Sequence, residues 1–180
     1  MNYLIKHKSK IINNTIDLPA SKSISNRVLI IQNLCKDSFV ISNLSEAEDT
    51  KILNKNLNSS KTKLNVKDAG TAMRFLTALL ATKNKEFIIT GNKEMNKRPI
   101  GPLVKALNSL GANICYLKKK NVSPIIIRKS SLKGGVINID SNISSQFISA
   151  ILLIAPILKN GLIINLNGKI VSKSYIEMTL

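Results

Sequence analysis

The chain has 180 residues, enough for one domain with its own core, and 44% apolar with 21% charged residues excludes an intrinsically disordered segment. The balance of 27 Lys and Arg against 10 Asp and Glu leaves a formal charge of +17, a field that draws anions. Heavy use of Lys, Asn and Ile is the AT-rich coding pattern and accounts for much of that excess, while aromatics at 4%, with no Trp and no interleaving with basic residues, argue against a nucleic-acid stacking surface.

In chain order, Met1 to Lys10 has no apolar stretch of signal-peptide length. Helices are expected over 24–35, 47–57, 71–82, 99–110 and 145–158, with a last one beginning near 173. Strands rich in Ile and Val are expected over 38–43, 62–66, 86–90, 112–117, 123–128, 135–139 and 162–166. The helix over 99–110 is the best punctuated. Pro99 suits a first turn, Leu103, Leu107 and Leu110 share a face, and Gly111 can end it in the left-handed conformation. Phe75 to Ala81 and Phe147 to Leu158 are apolar on nearly all sides, so these helices belong inside. The expected class is therefore α/β, with helices in the middle and sheets outside.

The run Lys118-Lys119-Lys120 reads as a solvated hairpin tip. Phe147 to Leu158, interrupted by Ser149 and Pro156, is shorter than the ~20 residues that span a bilayer. Cys35 and Cys115 form neither a CxxC pair nor a metal pattern with His7, and read as small apolar residues in a reduced compartment. The expected setting is the cytoplasm, without membrane or nucleic acid. Tyr175 to Leu180 reads as the opening of a helix that is not completed, the mark of a truncated or divided chain.

Five helix candidates open alike: Ser21-Lys22-Ser23-Ile24-Ser25-Asn26-Arg27, Asp68-Ala69-Gly70-Thr71-Ala72-Met73-Arg74, Lys97-Arg98-Pro99-Ile100-Gly101, Ser144-Ser145-Gln146-Phe147 and Ser172-Lys173-Ser174-Tyr175. All but the third begin with residues suited to N-caps, and four carry Lys or Arg within the first turn or so. Cations at a helix N-terminus oppose the macrodipole. Repeating that unfavourable choice points to an anion that resolves it, held by backbone N–H groups, hydroxyls and cationic side chains. The Ser-Lys-Ser triplet recurs at 21–23 and 172–174, a hint of internal repetition. Glu177 and the pair Glu48-Asp49 read as first-turn acids that favour the dipole rather than as catalysts.

Pro19-Ala20-Ser21-Lys22-Ser23-Ile24-Ser25-Asn26-Arg27 resembles the opening signature of EPSP synthases (3-phosphoshikimate 1-carboxyvinyltransferases). Asp68 to Phe75, Lys97 to Leu103, Ser144 to Phe147 and Val171 to Ile176 resemble four further blocks of that family, in family order. The resemblance implies repeated βαβαββ units around buried helices. It implies transfer of the enolpyruvyl group of phosphoenolpyruvate to the 5-hydroxyl of shikimate 3-phosphate through a tetrahedral adduct, with loss of phosphate and no metal or organic cofactor. Residues 21–180 would be an incomplete N-terminal, shikimate 3-phosphate-binding domain, with 1–20 belonging to a missing second, C-terminal domain.

By the same resemblance, Lys22 would touch both substrates near the reacting centre, and is the one catalytic candidate. Ser23 and Arg27 would hold shikimate 3-phosphate, Arg27 at its carboxylate. Ser144, Ser145 and Ser172 would grip its phosphate, Tyr175 would line that pocket, and Gln146 would lie between the substrates. Gly70 would allow close approach of phosphoenolpyruvate, and Arg98 would bind its phosphate with a planar fork. Lys22 offers a compact charge whose pKa can fall where cations crowd it.

Asp68 stands where the family commonly has Asn, either as a helix cap or as a charge for Arg74 or a lysine to neutralise. The family's proton-transfer carboxylates, and the groups that close on phosphoenolpyruvate, have no counterpart here, so the chain alone is expected to be inactive. The alternatives are a non-catalytic remnant that keeps anion binding and, behind it, the sibling transferase acting on UDP-N-acetylglucosamine, whose early signature has a Lys-Asn pair.

Overall fold

The computed structural model describes residues 3–180 apart from 5, 7, 10, 12, 38, 141 and 143. The elements run α1 (Lys22–Leu34), α2 (Glu48–Leu57), β1 (Lys63–Asn65), α3 (Gly70–Ala81), β2 (Phe87–Thr90), α4 (Gly101–Ser109), β3 (Asn113–Tyr116), β4 (Ile125–Arg128), β5 (Gly135–Asp140), α5 (Ser145–Ile154), β6 (Leu162–Asn167) and α6 (Lys173–Glu177), with 3-10 turns at Met95–Lys97 and Ala155–Ile157.

The strands form two sheets. One has the order β1-β2-β4-β3 and the other pairs β5 with β6. β1 and β2 run parallel across the α3 crossover, as do β5 and β6 across α5. β2–β4 and β3–β4 are antiparallel. The β3–β4 hairpin ends in the exposed lysine tip at 118–120, as the sequence indicated.

The interior is helical. Every residue of α3 except Thr71 is buried, and α5 buries eight of its ten residues. Phe75 and Phe147 are fully enclosed, one on each helix. An all-apolar helix has no face to offer water, so α3 and α5 pack together beneath the sheets. This arrangement aims the site: each buried helix begins just after a parallel strand ends, so the N-termini of α3 and α5 emerge at the carboxyl ends of β1 and β5.

Several expected boundaries move. Described residues 39–43 form no strand. The fourth helix opens at Gly101 rather than Pro99, with Pro102 in its first turn, and Ile100 N–H is tied to Asn121 O at 2.8 Å. Leu103, Leu107 and Leu110 are buried as expected, and Gly111 closes the helix at φ +104°. Pro156 ends α5 early by turning the chain into the 3-10 turn. Cys35 is exposed at the end of α1 and Cys115 is half-buried, so neither is a core residue. Among the described residues no helix is long and apolar enough to cross a membrane. The described residues before Ala20 carry no helix or strand and leave Tyr3, Leu4, Ile11, Ile16 and Leu18 exposed.

Candidate anion-binding site

The openings of α1, α3, α5 and α6 meet around one concavity of about 340 Å³, lined by Lys22, Ser23, Arg27, Thr71, Phe75, Ser144, Ser145, Gln146, Val171, Ser172 and Tyr175. Eight of the ten candidate site residues are in that lining. Local chemistry fixes the helix starts. Ser21 caps α1 by accepting from Ile24 N–H at 3.4 Å, and Ser144 caps α5 by accepting from Gln146 N–H at 3.3 Å. The repeated triplets are thus equivalent at one position, since Ser172 is the N-cap of α6 as Ser21 is of α1. Ser172 takes φ 56° and ψ 49°, a left-handed conformation that costs a non-glycine residue energy. Its side chain makes no capping bond.

Arg27 is more committed than its expected role implied. Its Nε donates to Thr179 Oγ1 at 2.8 Å and its Nη1 to Ser23 O at 2.8 Å. Its Nη2 donates to Tyr175 O at 2.7 Å and to Ser149 Oγ at 3.1 Å. The group also stacks over Phe75 at 5.6 Å. Four of the five guanidinium N–H bonds are therefore used within the protein, and the remaining Nη1 hydrogen is what a ligand can claim. Burial lowers the guanidinium pKa, and the Tyr175 phenol opposes that shift.

Lys22 is half-exposed, with its Nζ 3.9 Å from Asp49 Oδ2. Its ion-pair partner is thus a carboxylate. Glu48 pairs with Lys67 at 3.2 Å. Glu177 closes α6 rather than opening it, paired with Lys173 at 3.0 Å. No carboxylate lines the concavity among the described residues.

Gly70 and Arg98 form a second, adjoining corner. Arg98 does not start a helix. It ends the 3-10 turn and reaches back to the N-terminus of α3, where its Nη1 donates to Asp68 O at 3.4 Å. A Cβ on Gly70 would lie 3.1 Å from that nitrogen. Four helix openings therefore converge where five were expected, and Arg98 comes from a loop. Gln146 Nε2 donates to Thr71 Oγ1 at 3.3 Å and joins the two corners. Asp68 is no cap: α3 has no side-chain cap, and the Asp68 carboxylate accepts from Asn92 Nδ2 at 2.6 Å. No ion pair among the described residues includes Asp68, so neither Arg74 nor a lysine neutralises it.

Thr71, Phe75 and Val171 line the concavity without having been given a site role from the sequence, and Asp49, read there as a first-turn acid, faces Lys22. Thr71 follows Gly70 at a helix start, which was a usable signal. Phe75 and Val171 gave no such signal, and Asp49 does lie in the first turn of α2 as expected.

The sequence profile of the family EPSP synthase (3-phosphoshikimate 1-carboxyvinyltransferase) matches residues 51–180. The chain belongs to the EPSP synthase family.

Curated family members are close along its full length. A 3-phosphoshikimate 1-carboxyvinyltransferase from Bacteroides fragilis strain YCH46 is 48% identical over 180 residues, covering 100% of this chain and 44% of that protein. One from Marinomonas sp. strain MWYL1 is 38% identical, covering 93% and 45% respectively. A solved EPSP synthase from Acinetobacter baumannii superposes with a TM-score of 0.77 at 21% identity, covering 90% of this chain and 42% of that one, and so shares the fold. The chain spans under half the length of the relatives it matches. EPSP synthase membership disfavours the sibling transferase, and Cys115 does not argue for it, since it lies in β3 with Arg128 Nη1 3.3 Å from its sulfur.

Proposed function

We propose that this chain supplies the shikimate 3-phosphate-binding surface, and one corner of the phosphoenolpyruvate site, of an enzyme that moves the enolpyruvyl group onto the 5-hydroxyl of shikimate 3-phosphate and releases phosphate. The observation that carries the reading is the shared concavity of Lys22, Ser23, Arg27, Ser144, Ser145, Gln146, Ser172 and Tyr175, drawn from three family blocks far apart in sequence.

In this reading the hydroxyls of Ser144, Ser145 and Ser172 take the sugar phosphate, helped by the N-terminus of α5. Arg27 gives its one uncommitted N–H to the carboxylate. Lys22 sits at the mouth nearest the transferred group. Arg98 takes the phosphate of phosphoenolpyruvate beside Gly70, and Gln146 spans the two substrates. Each charge-assisted hydrogen bond is worth ~1.5–3 kcal/mol, so a handful suffices for binding.

The chain alone binds without turnover, because no carboxylate for proton transfer lines the cavity among the described residues. Residues 1–20 pack with the C-terminal portion that relatives possess, which supplies the remaining catalytic groups. Two free thiols, one exposed, suit a reducing cytoplasm.

The test mixes the 180-residue chain with the separately produced remainder of the Bacteroides fragilis relative and measures phosphate release from both substrates. Turnover that needs both pieces is expected. Absence of turnover with a folded complement, together with no binding of shikimate 3-phosphate by the chain, refutes the reading.

A further inference from the structure

A second arginine lies beside Arg98, and no ion pair among the described residues includes it. Arg74 sits one turn into α3 and is 8% exposed. Its guanidinium lies over the Phe147 ring at 5.3 Å. Its Nη2 donates to Pro99 O at 3.2 Å, the carbonyl next to Arg98. Its Nη1 comes so near Gly70 that a Cβ there would meet it at 2.6 Å, with Arg98 Nη1 at 3.1 Å from the same point. Its Nε is buried with no hydrogen-bond partner.

Among the described residues, the five ion pairs leave Arg74 out. The first turn of α3 has no acid, and no side chain caps it. Two guanidiniums therefore crowd an open helix N-terminus, the arrangement that electrostatics disfavours most in the absence of a counter-ion.

Packing alone does not call for an arginine here. A buried cation without a partner is costly, and an apolar side chain of the same length would fill the space at less cost. Burial, and then the neighbouring Arg98 charge, bring the Arg74 guanidinium down to about 10. An anion at the α3 N-terminus offsets both penalties at once.

We infer that Arg74 is the buried second cation of the anion subsite at the N-terminus of α3, where it holds the Arg98 segment through the Pro99 carbonyl and shares with Arg98 one doubly charged phosphate group. The inference rests on the reading of Arg98 as a phosphate-binding residue and extends it to a largely buried neighbour. Arg74 acts chiefly as a positioning residue and a standing charge. Its Phe147 stack and Pro99 bond keep it aimed whether or not the subsite is filled.

The chain holds four arginines, so side-chain Nε–H resonances can be assigned one by one on the full 180-residue protein and followed during titration with inorganic phosphate and with phosphoenolpyruvate. The Arg98 and Arg74 signals are expected to move together, with one midpoint. Arg74→Met is expected to weaken phosphate binding at Arg98 at least tenfold while melting no lower than the wild type without anion. Arg74→Lys, which restores charge but not the fork, is expected to recover part of the affinity, and it carries the comparison if the methionine variant fails to fold. If phosphate moves the Arg98 signal and affinity in both variants stays within twofold of wild type, Arg74 is only packing and the inference is overturned while the reading of Arg98 stands. If phosphate and phosphoenolpyruvate move neither signal, the reading of Arg98 fails and the inference falls with it.

Discussion

Replacing Gly70 by alanine separates the proposed anion site from the fold around it. Gly70 opens α3 without a positive φ, so alanine suits the backbone and adds up to ~1 kcal/mol of helix preference. The new methyl, however, meets Arg74 Nη1 at 2.6 Å and Arg98 Nη1 at 3.1 Å. Comfortable approach begins near 3.5 Å, so the Arg74 guanidinium has to retreat by about 1 Å. It is held by Pro99 O at 3.2 Å and by the Phe147 ring at 5.3 Å, so part of that hold is given up. Arg98 gives way more easily, because its bond to Asp68 O is already 3.4 Å long.

The two effects on stability oppose each other, and the net change is expected to stay within ~1 kcal/mol. Binding has no such compensation. Breaking or stretching one charge-assisted hydrogen bond to the ligand costs ~1.5–3 kcal/mol, a fall of roughly 10- to 100-fold in affinity for a phosphate group. Urea denaturation reports the first quantity, and calorimetric titration with phosphoenolpyruvate the second. A Gly70→Ala chain that folds normally and binds within twofold of wild type refutes the argument that closeness at Gly70 matters.

Arg27→Lys keeps the charge but cannot reproduce four separate donor directions, so α6 is expected to detach and urea denaturation to show a loss of ~2–4 kcal/mol. A loss below ~0.5 kcal/mol would mean that the bonds to Tyr175 O and Thr179 contribute little. Ser172→Gly relieves the left-handed strain and is expected to raise stability by ~0.5–1 kcal/mol while weakening shikimate 3-phosphate binding about tenfold through the missing hydroxyl. Equal loss of stability and binding would contradict that separation, and thermal melts with and without ligand read both.

The regular elements were largely legible because their signals are local. Short runs of β-forming residues marked six of the seven expected strands, and the all-apolar stretches at 75–81 and 147–158 marked the buried helices. The misplacements have physical causes. Pro99 resembles a first-turn proline, but the backbone bond from Ile100 to Asn121 delays the helix until Pro102 fills that place. Residues 39–43 have strand composition without a neighbouring strand to pair with, and so remain irregular. Glu177 was read as a first-turn acid because the start of a five-residue helix cannot be told from its end by composition.

The sequence by itself determined the kinds of groups at the helix openings, the family they belong to and the order in which they come, because caps, turns and helix dipoles act over a few residues. Only the tertiary structure decided how those groups divide their hydrogen bonds. Arg27 is largely consumed by Tyr175, Thr179 and Ser149, from segments more than a hundred residues away, whereas Arg74, which the sequence offered as a cation at a helix opening or a partner for Asp68, is buried beside Arg98 and belongs to no ion pair among the described residues. Such assignments depend on distances between segments remote in sequence, and in a buried site those distances set which charges are satisfied within the fold and which are not.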